Sequence, residues 1–345
     1  SSGNRIIAAK GAPEAIMAVS NLSETEKNIL QTNVNTLAKK GYRILGVATS
    51  PHSDLVFPEK QQQLPFRLLG FVAFYDPPKS NIHEVFQQFY NAGIDLKIVT
   101  GDNEITTKAI AKQAGLRKAE QTLNGDQFLQ LSEQDREEKL KEINLFTRMF
   151  PEAKLAAVNG LKNNQQIVAM TGDGVNDAPA LKAAHIGIAM GKKGTEIAKQ
   201  AAMLILSNDD LSGLVDAVAM GRRIYTNIKK AVQYIISIHI PIILTVSLPL
   251  FLGWIYPAIF TPVHVIFLEL VMGPTCSVVY ENEPIERNAM NIPPRPFTSL
   301  FLSLNEMTIS IVQGLLITGG VLSMYQYGVH KNYDEATVRS LVFTT

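Results

Sequence analysis

Thiols are almost absent from this sequence: Cys276 is the one cysteine in 345 residues. An internal disulfide framework is therefore excluded, and so is a zinc site built from several thiolates. A surplus of one charge sign is absent as well, since 32 Lys and Arg against 31 Asp and Glu leave a net charge of +1. Nucleic-acid binders carry a strongly basic surface, so nucleic acid is not an expected partner. No internal repeat or low-complexity tract occurs. Ser1-Ser2-Gly3 shows no signal-peptide pattern, and the last residues, Leu341-Val342-Phe343-Thr344-Thr345, open an apolar segment. Both ends are expected to be cuts within a longer protein.

Long uncharged stretches are missing up to about Tyr234 and frequent after it. Residues 235–256 and 307–329 contain no Asp, Glu, Lys or Arg, and residues 257–280 contain only Glu269. Each run is about twenty residues, enough for a helix to cross a hydrocarbon core of roughly 30 Å. Three membrane spans are expected, with the lipid bilayer as a partner; a buried soluble helix is the plain alternative for any one of them.

The first two thirds read as a soluble α/β protein. Residues 5–9 predict a strand, 12–19 and 24–40 helices, 43–48 a strand, and the proline-bearing stretch 51–65 a loop. From 68 onward strands and helices alternate: strands at 68–75, 96–99, 166–170, 186–189 and 203–206, helices at 82–92, 104–115, 154–163, 179–184 and 195–201. Such alternation favours a mainly parallel sheet with helices on both faces, whose ligands bind at the carboxyl ends of the strands.

Two strand-end loops share a composition. Thr100-Gly101-Asp102-Asn103 follows the strand at 96–99, and Thr171-Gly172-Asp173-Gly174-Val175-Asn176-Asp177 follows the strand at 166–170. Glycine lets backbone N–H groups approach a phosphate, threonine can donate to its oxygens, and a carboxylate can hold magnesium. Lys154, near the start of a helix, can reach a phosphate at the same sheet edge. Capped strand-to-helix turns and a solvated lysine are the plain alternatives. Two such loops, the longer with two carboxylates and Asn176, favour an anion and magnesium site.

MTGDGVNDAPAL at 170–181 resembles the hinge and magnesium signature of cation-transporting P-type ATPases. KGAPE at 10–14, DPPK at 76–79 and TGDN at 100–103 resemble other motifs of that family, in the family's order. The resemblance covers essentially the whole chain. It implies a haloacid-dehalogenase-like α/β phosphorylation domain at 68–220. Before it would come the C-terminal part of a nucleotide-binding domain (1–67), and after it stalk and membrane helices (221–345). It also implies ATP as substrate, Mg2+ as cofactor and an aspartyl-phosphate intermediate. Lys10 would line the adenine pocket, and Arg43, in GYRILGVA, would reach the nucleotide phosphates. Thr100, Gly101 and Asp102 would surround the transferred phosphoryl group. Lys154 would offset its charge, Asp173 would bind magnesium, and Asn176 and Asp177 would help close the site. The family's nucleophile lies in a DKTGT motif that is not in this chain. It is expected upstream, with the actuator domain and the first four membrane helices, so this chain alone is expected neither to form the phosphoenzyme nor to pump. A membrane-anchored phosphatase of the same superfamily and a non-catalytic nucleotide-binding membrane protein are the alternatives.

GRRIYTNIKK at 221–230 resembles the cytoplasmic stalk of the family's fifth membrane helix, making the three runs the fifth, sixth and seventh, with an eighth beginning at the end. Arg222, Arg223, Lys229 and Lys230 precede the first run, and Arg287 and Arg295 lie between the second and third. Positive-inside reasoning puts the α/β part in the cytoplasm; the bacterial branch suggested by PTCSVVYENEP puts the protein in a plasma membrane. Glu269, an intramembrane carboxylate, is either a transported-ion ligand or a structural partner for a neighbouring helix. His239, beside Pro241, either ligates or hydrogen-bonds across helices. Set against calcium-pump-like members, His239 and Ile242 stand where the fifth helix has Asn and Glu. Glu269, Met272 and Gly273 stand where the sixth has Asn, Thr and Asp. The nearest resemblance is calcium-type, and which cation is carried stays open. A heavy-metal pump is not expected, because Cys276 has no cysteine partner in the spans and soft metals take thiolates; Cys276 reads as a small residue at a helix contact.

Overall fold

The computed structural model describes residues 5–52, 57–60, 63–296, 298 and 300–345. The opening Ser1-Ser2-Gly3 and parts of the expected loop at 51–65 lie outside them. The chain forms two compact units, Ser1–Val215 and Asp216–Thr345.

In the first unit, β1 (Arg5–Gly11), α1 (Pro13–Val19), α2 (Glu24–Ala38), β2 (Tyr42–His52) and β3 (Arg67–Tyr75) build an antiparallel sheet in the order β1-β2-β3. Ser23 and Glu26 cap α2 reciprocally. Gly41, at φ +86°, turns the chain back into β2. Along β2, Ile44, Gly46, Ala48 and Ser50 are buried while Arg43 is exposed, the period-two pattern of a sheet covered on one face. Gly46 is required there, because a Cβ would sit 2.9 Å from the Cβ of Ile16 on α1.

The strand expected at 68–75 to open the parallel sheet does otherwise. β3 pairs antiparallel with β2, in a register that sets Tyr42 opposite Tyr75 and Arg43 opposite Phe74. β2 and β3 run in opposite directions, so their pairing does not call for the crossover helix that a parallel pair requires. A boundary at residue 67 would therefore separate two hydrogen-bonded strands.

The parallel part follows as α3 (Ile82–Asn91), β4 (Ile98–Val99), α4 (Glu104–Ala114), β5 (Thr122–Asn124), α5 (Gly125–Gln130), α6 (Glu133–Glu142), β6 (Leu145–Thr147), α7 (Pro151–Asn163), β7 (Ala169–Gly172), α8 (Ala178–Ala183), β8 (Ile186–Met190), α9 (Glu196–Ala201) and β9 (Leu204–Leu206). The strands form two parallel sheets, β4-β6-β5 and β7-β8-β9. The central β6 is wholly buried, whereas β4 and β7 are edge strands with partly exposed residues. β5, α5, α6 and β6 have no counterpart in the sequence reading. The sheet centre, Leu145-Phe146-Thr147, is too short for a periodic signal and follows the charged helix EQDREEKLKE.

The second unit holds most of α10 (Ser212–Phe251), then α11 (Pro262–Glu281), α12 (Leu304–His330) and α13 (Glu335–Thr344). The first three are long and apolar enough to cross a membrane. At 1.5 Å per residue the 40 residues of α10 extend roughly 60 Å, so its charged first half projects beyond a hydrocarbon core. α10 and α11 are separated by residues 252–261, a longer break than the sequence reading allowed, with Gly253 at φ +63°. Gly314 of α12 lies against α10 so closely that a Cβ would fall 2.7 Å from the Ile240 Cβ. The apolar segment at 341–345 ends α13, whose Val338 and Val342 pack with Val321 and Tyr325 of α12.

Where the parallel part runs into α10, Asp210 accepts hydrogen bonds from the Ser212 N–H at 2.9 Å and the Asn81 side chain at 3.1 Å, with the Lys79 ammonium 3.5 Å away. These donors, the Ser212 backbone first, hold its carboxyl well below the ordinary 3.8, at about 2. A lowered folded-state pKa contributes stability that is complete above the ordinary value and lost as pH falls through the folded one. Asp210→Asn should therefore flatten the fall in stability between about pH 4 and pH 2, followed by circular dichroism against the parent protein.

Candidate functional site

Both expected loops stand at carboxyl ends of parallel strands. After β4, the Thr100 N–H donates to the Phe146 carbonyl (3.0 Å) and its carbonyl accepts from the Met149 N–H (2.8 Å), so the β4 and β6 loops are stitched together. The Asp102 N–H donates to Thr100 Oγ1 at 3.2 Å, and Asn103 caps α4 by accepting from the Thr106 N–H at 3.0 Å. Gly101 is exposed at the tip.

The β7 loop is organised from below by Asp177. Its carboxylate is buried and accepts from the N–H groups of Asp173 (3.3 Å) and Gly174 (3.2 Å) and from Lys154 Nζ (2.6 Å). Gly172 makes room for it: a Cβ there would lie 2.6 Å from the Asp177 Cβ. Lys154 comes from the first turn of α7, directly after the β6 loop, and is only 12% exposed in its side chain against 10% for Asp177. One continuous path therefore runs from Thr100 through the β6 loop and Lys154 to Asp177 and the Asp173 N–H. Lys154, expected to reach a phosphate at this sheet edge, pairs with Asp177 there.

Asp173 and Asn176 are exposed at the same loop. The Asp173 carbonyl accepts from the Thr195 N–H at 2.8 Å, fixing the backbone, and among the described residues nothing donates to its carboxylate. A free carboxylate on a fixed strand-end loop suits magnesium, which takes one or two carboxylates and completes its shell with water and phosphate oxygens.

Lys10 and Arg43 come from the antiparallel sheet. Lys10 pairs with Val47, which lies four residues from Arg43 on β2, so the two cations share the sheet face not covered by α1 and α2. They stand about 13 Å apart along the strands. Val72 and Phe74 are exposed on β3 beside them. Arg43 approaches Asp102 at 3.5 Å. The sequence reading missed Arg148. Its N–H donates to the Asp102 carbonyl, its guanidinium pairs with Glu14 of KGAPE, and its backbone is left-handed at φ +47°. A non-glycine residue there is uncommon, yet nothing in the sequence announces it.

In the membrane unit, His239 and Glu269 meet. His239 Nε2 lies 3.1 Å from Glu269 Oε1, and Nδ1 lies 2.8 Å from the Ile235 carbonyl. A carbonyl only accepts, so Nδ1 carries the hydrogen of that contact and Nε2 is the nitrogen turned toward the carboxylate. The pair borders a cavity of about 250 Å³ lined also by Tyr234, Met272 and Cys276. Cys276, read as a helix-contact residue, is buried and lines this cavity too.

Phosphate-type loops on parallel strands, followed by apolar spanning helices, define a haloacid-dehalogenase-like domain joined to a membrane unit. Residues 24–185 match the family described as haloacid dehalogenase-like hydrolase, as do residues 153–218, and residues 257–345 match the C-terminus of cation transporting ATPases. Over 99% of its length the chain is 33% identical to "Calcium-transporting ATPase 1" of Lactococcus lactis, covering 40% of that protein. It is 31% identical over 97% of its length to "Calcium-transporting ATPase 4, endoplasmic reticulum-type" of Arabidopsis thaliana, covering 35%. With human "Calcium-transporting ATPase type 2C member 1" the identity is 30% over 94% of the chain, covering 34%. The chain belongs to the cation-transporting P-type ATPases, and it spans 34–40% of the length of these relatives.

Because Lys154 and Asp177 are both largely buried, removing one leaves the other charge uncompensated. Asp177→Ala should lower stability by about 3 kcal/mol or more. Hydrogen exchange should show faster opening of β7 and the first turn of α7, with α2 unaffected.

Proposed function

We propose that this chain supplies the phosphate- and magnesium-facing part of an ATP-driven cation pump that works through an aspartyl phosphate. The observation that carries this reading is the path tying Thr100-Gly101-Asp102 to the Asp173 loop through Lys154 and Asp177. In this reading Thr100, Gly101 and the Asp102 backbone cradle the transferred phosphoryl group, and Asp173 holds Mg2+, which neutralises charge developing on the phosphoryl oxygens. Asn176 faces the same site. Lys154 acts chiefly by keeping Asp177, and with it the Asp173 and Gly174 N–H groups, in place. Positioning and electrostatic stabilisation of this kind are most of what phosphoryl transfer asks of a protein.

The attacking aspartate would come from a segment outside this chain. Among the described residues β4 and β7 each have an unpaired edge, and a further parallel strand delivering a carboxylate beside their loops would complete the site. On the antiparallel sheet, Lys10 and Arg43 would take the nucleotide, the base lying over apolar surface and the phosphates toward Arg43 and Asp102. The sheet of residues 5–75 is then the nucleotide-binding part and the parallel sheets the phosphorylation domain. α10 to α12 are the fifth to seventh membrane helices, with the α/β unit in the cytoplasm of a bacterial cell. The relatives' names make calcium the first cation to try.

In the full-length protein, Asp173→Ala should abolish Mg2+-dependent phosphoenzyme labelling by ATP carrying a labelled γ-phosphate, a loss of at least a hundredfold, while Asp126→Ala, at an exposed position of α5, leaves it intact. Undiminished phosphoenzyme in the first variant would remove Asp173 from the magnesium site.

A further inference from the structure

Resting on the reading of this chain as part of a cation pump, we propose that the α10–α11 cavity takes the transported cation, and that this cation is a borderline divalent transition metal, of the Zn2+ and Co2+ class, rather than a hard ion such as Ca2+. Three observations converge. The first is the donor inventory. Ca2+ is held by six to eight oxygens. Among side chains the cavity wall offers one carboxylate, Glu269, and one phenol, Tyr234, with an imidazole from His239 and sulfur from Met272 and Cys276. Imidazole suits zinc and its neighbours, and sulfur tolerates them where it repels calcium.

The second observation is the orientation of the ring. Nδ1 of His239 donates to the Ile235 carbonyl at 2.8 Å, which presents Nε2 toward Glu269. A histidine whose second nitrogen donates to a backbone carbonyl has a fixed tautomer and a more basic ligating nitrogen, the arrangement in which metal-binding histidines are held.

The third is spacing. Two ligands on one tetrahedral ion, with bonds of about 2.0–2.1 Å, lie roughly 3.3 Å apart. Nε2 and Oε1 stand at 3.1 Å, so both atoms can turn onto one ion with a few tenths of an ångström of opening. Met272, one helical turn from Glu269 on the same wall, brings its thioether near. Cys276, two turns from Glu269 and roughly 10 Å along the axis, lines the far end. Among the described residues no three His, Cys, Asp or Glu side chains converge, so this chain supplies two ligands and the rest of the shell is water or groups beyond it. An incomplete shell is what a site that must release its ion requires.

The test is Co2+ binding to the full-length protein in detergent micelles at fixed pH, followed by its visible d–d absorption. The expected result is one nitrogen-ligated Co2+ site that Zn2+ displaces and a large excess of Ca2+ does not. His239→Ala should weaken Co2+ about tenfold or more, as should His239→Asn, which keeps a polar group for the Ile235 carbonyl. Displacement of Co2+ by equimolar Ca2+, or unchanged Co2+ affinity in both His239 variants, would overturn the proposal. Cation-stimulated ATP hydrolysis in the same preparation separates the two readings. Stimulation by Ca2+ alone, insensitive to His239, sinks the metal assignment and leaves the pump. Stimulation by no cation, with His239-dependent Co2+ binding retained, sinks the pump reading and leaves the site.

Discussion

The ion pair between Lys154 and Asp177 is the contact on which the α/β site turns. Each charge alone would be costly so far from water, and their attraction offsets that cost only because the remaining carboxylate lone pairs are filled. Asp177 fills them with the N–H groups of Asp173 and Gly174, at 3.3 and 3.2 Å. The energetic requirement of a buried carboxylate thus becomes a structural instruction: the β7 loop must curl over Asp177, and Asp173 is left outside with its own carboxylate free. Since Lys154 follows directly from the β6 loop, which is bonded to Thr100, the same pair sets one sheet's loops against the other's.

The membrane unit uses polar groups more sparingly. Its helices meet at small residues, as where Gly314 admits Ile240, and at a few hydrogen bonds such as that from Ser237 to the Gln313 side chain at 3.2 Å. At the start of α10 the chain is bound differently. Arg222 donates to the carbonyls of Ala289 and Ile292, Arg223 to that of Glu283, and Lys230 pairs with Glu283 at 2.7 Å. Arginine forks satisfy carbonyls that the end of α11 and the following loop would otherwise expose. The polar His239–Glu269 pair lies between such ties and the apolar helix ends, where a charge has least solvent to compensate it.

How much of this was legible in the sequence depended on how local each feature is. The strand-end loops and the three apolar runs are written in adjacent residues and were readable. The partner of Lys154 was not, because nothing local to residue 154 points to residue 177. β3 was given to the wrong sheet for the same reason: strand pairing is decided across the chain, and the pattern of RLLGFVAFY fits either neighbour. β6 was missed because a three-residue buried strand has no period to detect. Arg148 was missed because its role rests on a backbone angle. In the membrane, Glu269 and His239 were each visible as polar residues in apolar runs, but their meeting across two helices, and Cys276 on the same cavity, needed the packed structure.

If the Thr100 and Asp173 loops form one site, they must respond together to one ligand. Hydrogen exchange on the full-length protein, with and without Mg2+ and orthovanadate as a phosphoryl analogue, tests this. Residues 100–103 and 172–177 should gain protection together, only when both Mg2+ and vanadate are present. Protection of one loop without the other, or of neither, would contradict it.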